Sequence, residues 1–187
     1  MRSLLPLFAA ALMVSAPVLA TELVPVPQFT SVQLRGGGTV TLVPGHAQRV
    51  TILEGSSQIT RMFVERGGEL RIDTCEERCP PVYRLRVEIQ SPDVPDLAID
   101  GGGQITTVEG FRPQSELSAA VNGGGKIDAR SLDARQVSAA VNGGGELLVR
   151  PRAELSAAIN GGGHVRYWGN PQVSSSIHGG GAVSPGY

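Results

Sequence analysis

The chain has 187 residues, of which 16 are Lys or Arg and 17 are Asp or Glu, so its formal net charge is −1. This length suits a single domain. A charge so close to zero argues against the strongly basic surface by which proteins bind nucleic acids or anionic membranes. The 25 glycines are clustered, which argues against a collagen-like chain and against a flexible linker.

Residues 1–20, MRSLLPLFAAALMVSAPVLA, have the pattern of a signal peptide. Arg2 precedes an apolar run, and small residues end at Ala20, just before a predicted cleavage site at Thr21. Two prolines interrupt the run, which is short for a membrane-spanning helix. An uncleaved anchor helix is the alternative. We expect an exported protein, periplasmic or extracellular, without a membrane span in its mature form.

Residues 21–95 form the N-terminal β-strand part of the predicted fold. Apolar side chains fall at every second position of residues 83–90, YRLRVEIQ, as in a strand with one buried face. Gly67 and Gly68 interrupt an earlier alternating segment, which indicates a hairpin. No segment of the mature chain has the 3.6-residue period of a helix, so the sequence predicts an all-β fold.

Two cysteines, Cys75 and Cys79, lie in the segment DTCEERCPP of this N-terminal part. In an oxidising compartment we expect them to form a disulfide that closes a turn between two strands. Redox motifs usually have two residues between the cysteines, whereas three lie here. A metal site would need two more ligands, and no other His or Cys is near in sequence.

Residues 96–187 contain a repeat that is marked by glycine triplets. The first glycines of the triplets are separated by 22, 20, 18 and 18 residues, the length of one coil of a β-solenoid. In-register stacking of the repeats would place Val121 over Val141 in an apolar interior column. Each triplet marks a corner between two short strands, where only glycine adopts the required dihedral angles without strain. These first glycines are Gly101, Gly123, Gly143, Gly161 and Gly179.

A polar residue precedes each triplet and forms a second predicted column. Stacked amides hydrogen-bond along a parallel ladder, and Asn also tolerates turn conformations, so we expect a structural role. A binding stripe on the surface is the alternative. The column consists of Asp100, Asn122, Asn142, Asn160 and His178.

An aromatic pair, Tyr167 and Trp168, lies in the segment VRYWGNP, and Trp168 is the only tryptophan. Alternation predicts that Tyr167 points inward and Trp168 outward. An exposed aromatic ring in an exported protein is a candidate platform for a sugar or a protein partner. The alternative is that Trp168 packs under the loop that leads to Pro171.

The acidic residues of the repeat do not form an evident catalytic pair, as glycoside hydrolysis requires. Glu116 and Glu154 share a position that Gln136 and Gln172 fill in other coils, which indicates a solvated edge. The triplets also lack the Lys-Ser or Lys-Thr of a phosphate loop and the Asp of repeated calcium sites. We therefore predict no catalytic residues, no cofactor and no metal site.

Several segments, in this order, resemble the GIN domain, the head domain of auto-transporter adhesins. They are GELRI, YRLRVEI with its proline break, the NGGG corners, and VRYWGNPQVSSSIHGGGAV. The resemblance covers about Phe29 to Val183. It implies a single-domain, right-handed parallel β-helix in an exported bacterial protein, and no catalytic residues carry over from it. The cysteine pair and an early RGGGT segment depart from the family pattern.

Our hypothesis is a non-catalytic, exported β-solenoid that acts as an adhesion, binding or scaffold module of the cell envelope. Its expected partners are a glycan or a cell-envelope protein, or a second copy that pairs through the open solenoid edges. The alternative function is that of a carbohydrate-active β-helix enzyme, a polysaccharide lyase or hydrolase.

Overall fold

The computed structural model describes residues 21–75 and 79–186, and the predicted signal peptide lies outside the described residues. All regular structure in the described residues is β-strand, and its fifteen strands form one sheet. The strands are β1 (Glu22–Val24), β2 (Ser31–Gly36), β3 (Thr39–Pro44), β4 (Arg49–Glu54), β5 (Arg61–Val64), β6 (Glu69–Asp73), β7 (Arg86–Ser91), β8 (Asp96–Gly101), β9 (Gln104–Thr107), β10 (Gln114–Gly123), β11 (Lys126–Gly143), β12 (Glu146–Gly161), β13 (His164–Tyr167), β14 (Gln172–His178) and β15 (Ala182–Pro185).

The sheet follows the order β1-β4-β7-β3-β9-β11-β10-β8-β2-β6-β5, and β12 adds to β11 and pairs with both β13 and β14. Most neighbouring strands are parallel. The antiparallel pairs of the described residues, β1 with β4, β4 with β7, and β5 with β6, all lie in the N-terminal part. The all-β, single-domain prediction is confirmed, and the sheet is continuous across residues 95 and 96 because β2 pairs with both β6 and β8. No helix of the described residues is long and apolar enough to cross a membrane.

The parallel strands stack repeat upon repeat in the register that the glycine triplets predict. Asn142 pairs with Asn122 on one side and with Asn160 on the other. The ladder continues through the corners, since the Gly144 N–H donates to the Gly123 carbonyl at 3.0 Å. The predicted vertical alignment is therefore confirmed, and it carries the interior column through Val121 and its equivalents in the neighbouring coils.

The triplets at Gly123 and Gly143 are 20 residues apart, whereas those at Gly143 and Gly161 are 18 apart. A bulge in β11 accounts for the difference of two residues. Residues 130–132 of β11 have no counterpart in β12, because Ala129 pairs with Val149 and Asp133 with Arg150. A second irregularity reduces this excess of three residues to two, because residues 152 and 153 of β12 lie opposite the single residue 135 of β11. The bulge leaves the corners in register and turns Arg130 outward, while Leu132 remains buried.

The three glycines of a corner face different packing constraints. Gly143 has a φ of +117°, and a Cβ there would lie 2.6 Å from the Gly123 carbonyl oxygen. A Cβ at Gly145 would overlap Val121 Cγ1 and lie 2.8 Å from the Gly125 carbonyl oxygen, whereas one at Gly144 would have no neighbour within 4 Å. The first glycine is required for its backbone conformation and the third for close approach of the coils, but the middle one is not.

An additional corner occurs early in the chain, at the RGGGT segment that the sequence analysis sets outside the repeat. Arg35 pairs with Asp100 and Gly36 with Gly101, so residues 36–38 form the first corner of the stack. As in the later triplets, an apolar residue, Val40, lies two positions after the last glycine, but here the third glycine, Gly38, also has a positive φ, of +107°.

The two ends of the stack are covered differently. At the N-terminal end, β5 lies antiparallel on β6, and β4 lies antiparallel on β7. At the C-terminal end, within the part of the chain that the structure describes, β14 pairs only with β12, and β15 only with β13. Ile159 in β12 is completely buried, whereas Ile177, its neighbour in β14, is 41% exposed because no described strand lies beyond β14.

The predicted disulfide is present. Cys75 and Cys79 are bonded across a Cα–Cα distance of 5.7 Å, in the connection between β6 and β7. The described residues contain no other cysteine.

Candidate functional site

Trp168 follows β13 and is half-buried, while Tyr167 packs against the hydrophobic core, as alternation predicts. The backbone N–H of Trp168 donates to the Val149 carbonyl at 3.0 Å, which extends the backbone ladder between β12 and β13 by one residue. The guanidinium carbon of Arg130 lies 4.9 Å from the centroid of the indole ring. The backbone at Gly186 packs so closely on the ring that a Cβ there would overlap Cε2 and Cζ2. Trp168 is thus held in place by a cation–π contact and by the C-terminal segment.

The bulge in β11 brings Arg130 to Trp168, although one coil, that of β12, lies between the coils of these two residues. The guanidinium of Arg130 donates two hydrogen bonds to the carboxylate of Asp128, from Nε to Oδ1 at 2.9 Å and from Nη2 to Oδ2 at 2.6 Å, and these fix its orientation. Burial acts to raise the pKa of Asp128, but hydrogen bonds from the side chain and backbone of Arg130, with the charges of Arg130 and Lys126, lower it below its ordinary value. Asp128 therefore stays ionised at neutral pH and keeps Arg130 oriented.

Two open grooves meet at Arg130 and Trp168, and together they are called the Trp168 grooves below. The first has a volume of about 600 Å³ and the second about 410 Å³. Besides the two shared residues, the first is lined by Lys126, Glu146, Leu148, Arg166, Ser184, Pro185 and Gly186, and the second by Thr106, Thr107, Glu109, Asp128, Ser131 and Arg150.

Charged side chains in the first groove are paired along the stack. Glu146 forms an ion pair with Lys126 of the preceding coil, with 2.8 Å between Oε2 and Nζ. Its Oε1 lies 3.9 Å from Nε of Arg166 in the following coil. The register places Lys126 beside Glu146, and Glu146 beside His164. An indole ring beside several rigidly held hydrogen-bonding groups is an arrangement suited to a polar ligand that also has an apolar face.

The polar column forms a ladder of amide hydrogen bonds on the exposed surface. Asn142 Nδ2 donates to Asn122 Oδ1 at 2.9 Å, and Asn160 Nδ2 donates to Asn142 Oδ1 at 3.0 Å. The register adds Asp100 below Asn122 and His178 above Asn160. The column has the hydrogen-bonded connectivity that stacked amides predict.

The column extends further toward the N-terminus than the sequence analysis predicts. Arg35 stacks below Asp100, with 3.5 Å between Nε and Oδ2, and its Nη1 lies 3.8 Å from Asp73 Oδ1. The column therefore changes from charged side chains at its base to uncharged amides in the repeats. The RGGGT segment is the signal that could have identified Arg35, because the residue before a triplet belongs to the column.

Beside the amide ladder lies an outward face of small residues on β8, β10, β11 and β12. It is a shallow depression of about 540 Å³. Asp96 Oδ1 at its edge accepts a hydrogen bond from the Ser118 N–H at 3.1 Å. Its central residues are Ser118, Ser138, Ser156, Ala120, Ala140 and Ala158, which stack in two columns.

The Glu and Gln residues that share one position of the repeat also stack. Glu116 pairs with Gln136, and Gln136 Nε2 donates to Glu154 Oε2 at 3.0 Å. They form an exposed ladder and not a cleft with converging carboxyl groups. Among residues 21–75 and 79–186, no three His, Cys, Asp or Glu side chains come together in a group that could hold a metal ion.

A family model matches the segment of the sequence that carries much of this surface. The family is described as "Putative auto-transporter adhesin, head GIN domain", and its model matches residues 113–171. This segment contains Trp168, Arg130 and three residues of the amide ladder. No curated protein matches the chain.

Among solved structures, a putative adhesin from Bacteroides fragilis is similar, with 17% identity and a TM-score of 0.51, over 89% of this chain and 96% of the other. A putative adhesin from Parabacteroides distasonis has 18% identity, a TM-score of 0.45 and coverages of 89% and 96%. A putative lipid binding protein from the same species has 18% identity, a TM-score of 0.42 and coverages of 90% and 96%.

At 17% identity the Bacteroides fragilis protein shows a shared fold and nothing more. Through residues 113–171, the chain is similar to the family described as a putative auto-transporter adhesin, head GIN domain.

Proposed function

We propose that this protein is a non-catalytic binding module of the cell envelope, exported to the periplasm or the cell exterior, with an adhesin-like role. We further propose that its coils wind as a right-handed β-solenoid, which is the hand that parallel crossovers almost always adopt. The observation that supports a binding function is Trp168, a half-buried ring that is clamped by Arg130 between two open grooves.

A glycan is the ligand class that the Trp168 grooves fit best. Sugar rings present C–H groups that stack on an indole and hydroxyl groups that bond to charged and hydroxylated side chains. Lys126, Glu146 and Arg166 supply such groups on one side of the ring, and Thr106 and Ser131 supply them on the other. Because both grooves are open, they suit a segment of a longer chain better than an enclosed small molecule.

The carboxylates beside Trp168 are a poor match to a hydrolase. A glycosidase needs a carboxylic acid whose pKa is raised so that it can donate a proton. Asp128 has the opposite property, since the hydrogen bonds from Arg130 lower its pKa. Glu146 is ion-paired with Lys126 at 2.8 Å. Neither Asp128 nor Glu146 therefore has the properties of the proton donor that a hydrolase would need.

Binding to an array of bacterial envelope glycans tests the proposal. Trp168→Ala should weaken binding at least about tenfold, equivalent to ~1.4 kcal/mol, while Asn142→Ala should leave it unchanged. Equal binding by wild type and Trp168→Ala would contradict the role of the ring. Weaker binding by Asn142→Ala alone would favour the amide ladder as the binding stripe. Release of new reducing or unsaturated chain ends from a bound polysaccharide would support the enzyme alternative.

A further inference from the structure

The C-terminal end of the stack is an open sheet edge with exposed apolar residues. Within residues 21–75 and 79–186, no strand pairs with the outer edge of β14. Four large apolar side chains of the described residues are exposed, and two of them, Val173 at 38% and Ile177 at 41%, lie in β14. They continue the interior columns of Leu155 and Ile159, both of which are fully buried one coil earlier.

The opposite end shows how this fold covers such an edge. There the last parallel strands, β6 and β7, are each covered by an antiparallel strand from the same chain, β5 and β4 respectively. An unpaired edge strand is a template for pairing with another chain. The equivalent cover for β14 is therefore an antiparallel strand.

The sequence of β14 is nearly symmetric about its centre. It reads Gln-Val-Ser-Ser-Ser-Ile-His, with Ser175 in the middle. If two copies pair antiparallel about Ser175, Val173 of one copy lies opposite Ile177 of the other, and the remaining serines lie opposite each other. No pair in this register brings like charges together, and apolar residues meet only apolar residues.

We propose that the second strand is β14 of another copy of this chain, which gives a two-fold symmetric dimer joined end to end at the C-terminal coils. In this arrangement the interior columns run from one copy into the other, because residues of equal parity face the same side of the sheet. The interface is isologous and closes after two copies. A head-to-tail array would pair β14 with β5 or β1, the edge strands of the N-terminal end, and neither sequence matches β14 in this symmetric way. This inference goes beyond the proposed function, which concerns the Trp168 grooves.

Sedimentation equilibrium of the purified protein tests the stoichiometry. Wild type should have twice the mass of one chain, and Ile177→Lys should have the mass of a single chain. Val82→Lys is the matched control, because Val82 is 78% exposed outside β14 and its variant should remain dimeric. A single-chain mass for wild type would overturn the proposal, and so would an assembly that grows beyond two chains with concentration.

Cysteine cross-linking tests the register without weakening the interface. Antiparallel partners lie about 4.5–5.5 Å apart between Cα atoms, within the range of a disulfide. Ser175→Cys should therefore give a covalent dimer under mild oxidation. Ser176→Cys should not, since its two copies are displaced along the strands beyond the ~7 Å limit. Cross-linking at residue 176 but not at residue 175 would overturn the register.

The same preparations separate this inference from the proposed function. Glycan binding by wild-type protein that is a single chain would overturn the dimer and leave the binding function standing. A wild-type dimer that cross-links at residue 175 but binds no glycan would support the dimer and contradict the binding function. Circular dichroism of each variant shows whether the β-fold is intact, and the cross-linking result decides the register even where Ile177→Lys fails to fold.

Discussion

Alanine substitutions along a single glycine triplet, at Gly143, Gly144 and Gly145, would test the stacked-corner architecture. All three changes add one methyl group to the same turn, so composition alone predicts similar effects. The structure predicts different effects, because each added Cβ meets different surroundings. The middle position therefore serves as the control for its two neighbours.

Gly143→Ala should be the most destabilising change. Its φ of +117° is strained for any residue with a side chain, which costs about 1–3 kcal/mol. The new Cβ would also lie 2.6 Å from the Gly123 carbonyl oxygen, and overpacking of this kind costs typically about 1–3 kcal/mol more. Together these terms lower the free energy of unfolding by about 2–6 kcal/mol.

Gly145→Ala should have an intermediate effect and Gly144→Ala almost none. At Gly145 the backbone conformation is open to other residues, so only overpacking against Val121 and the Gly125 carbonyl oxygen remains, at about 1–3 kcal/mol. At Gly144 the Cβ has no neighbour, and loss of unfolded-state entropy favours alanine by about 0.4–1 kcal/mol.

Urea unfolding, followed by circular dichroism, measures the three free energies. The expected order of stability is Gly144→Ala at or above wild type, then Gly145→Ala, then Gly143→Ala. If Gly144→Ala were as destabilised as Gly143→Ala, or if all three variants matched wild type, the coils would not approach each other at the corners as described. The stacking argument would then be wrong.

Three further measurements concern the surface of the stack. Asn142→Ala breaks both amide hydrogen bonds of its ladder position and should lower the free energy of unfolding by about 1 kcal/mol in urea titrations, whereas no loss would mean that the ladder is stabilised by the backbone alone. The pKa of Asp128 is lowered in the folded state, so its ion pair stabilises the fold above the unfolded pKa of about 3.9 and this contribution is lost as the pH falls through the lower folded value. The stability difference between wild type and Asp128→Asn should thus be at most about 1 kcal/mol at neutral pH and vanish in acid; a difference that grows in acid would contradict this sign. Arg130→Ala uncovers the only tryptophan, Trp168, so its fluorescence should shift to longer wavelength, while an unchanged spectrum would show that Gly186 alone shields the ring.

The amino-acid sequence by itself determined the repeat and its register. Glycine at the first corner position is demanded by a positive φ, and at the third by contact with the coil below, so both recur wherever one coil stacks on another. The strands beside the corners alternate, and their parity separates the buried column of Val121 from the exposed column of Asn142. These are local constraints, and a local pattern records them.

Only the tertiary structure decided how the ends of the stack are covered and what surrounds Trp168. The antiparallel strand β4 carries the same alternation as the parallel strands, so its direction is not visible in its sequence. Arg130 reaches Trp168 because a bulge in β11 turns it toward a residue two coils away, and Gly186 arrives from the chain's last residues. Contacts between residues so distant in sequence depend on where whole coils lie, and a period read along the chain does not contain that information.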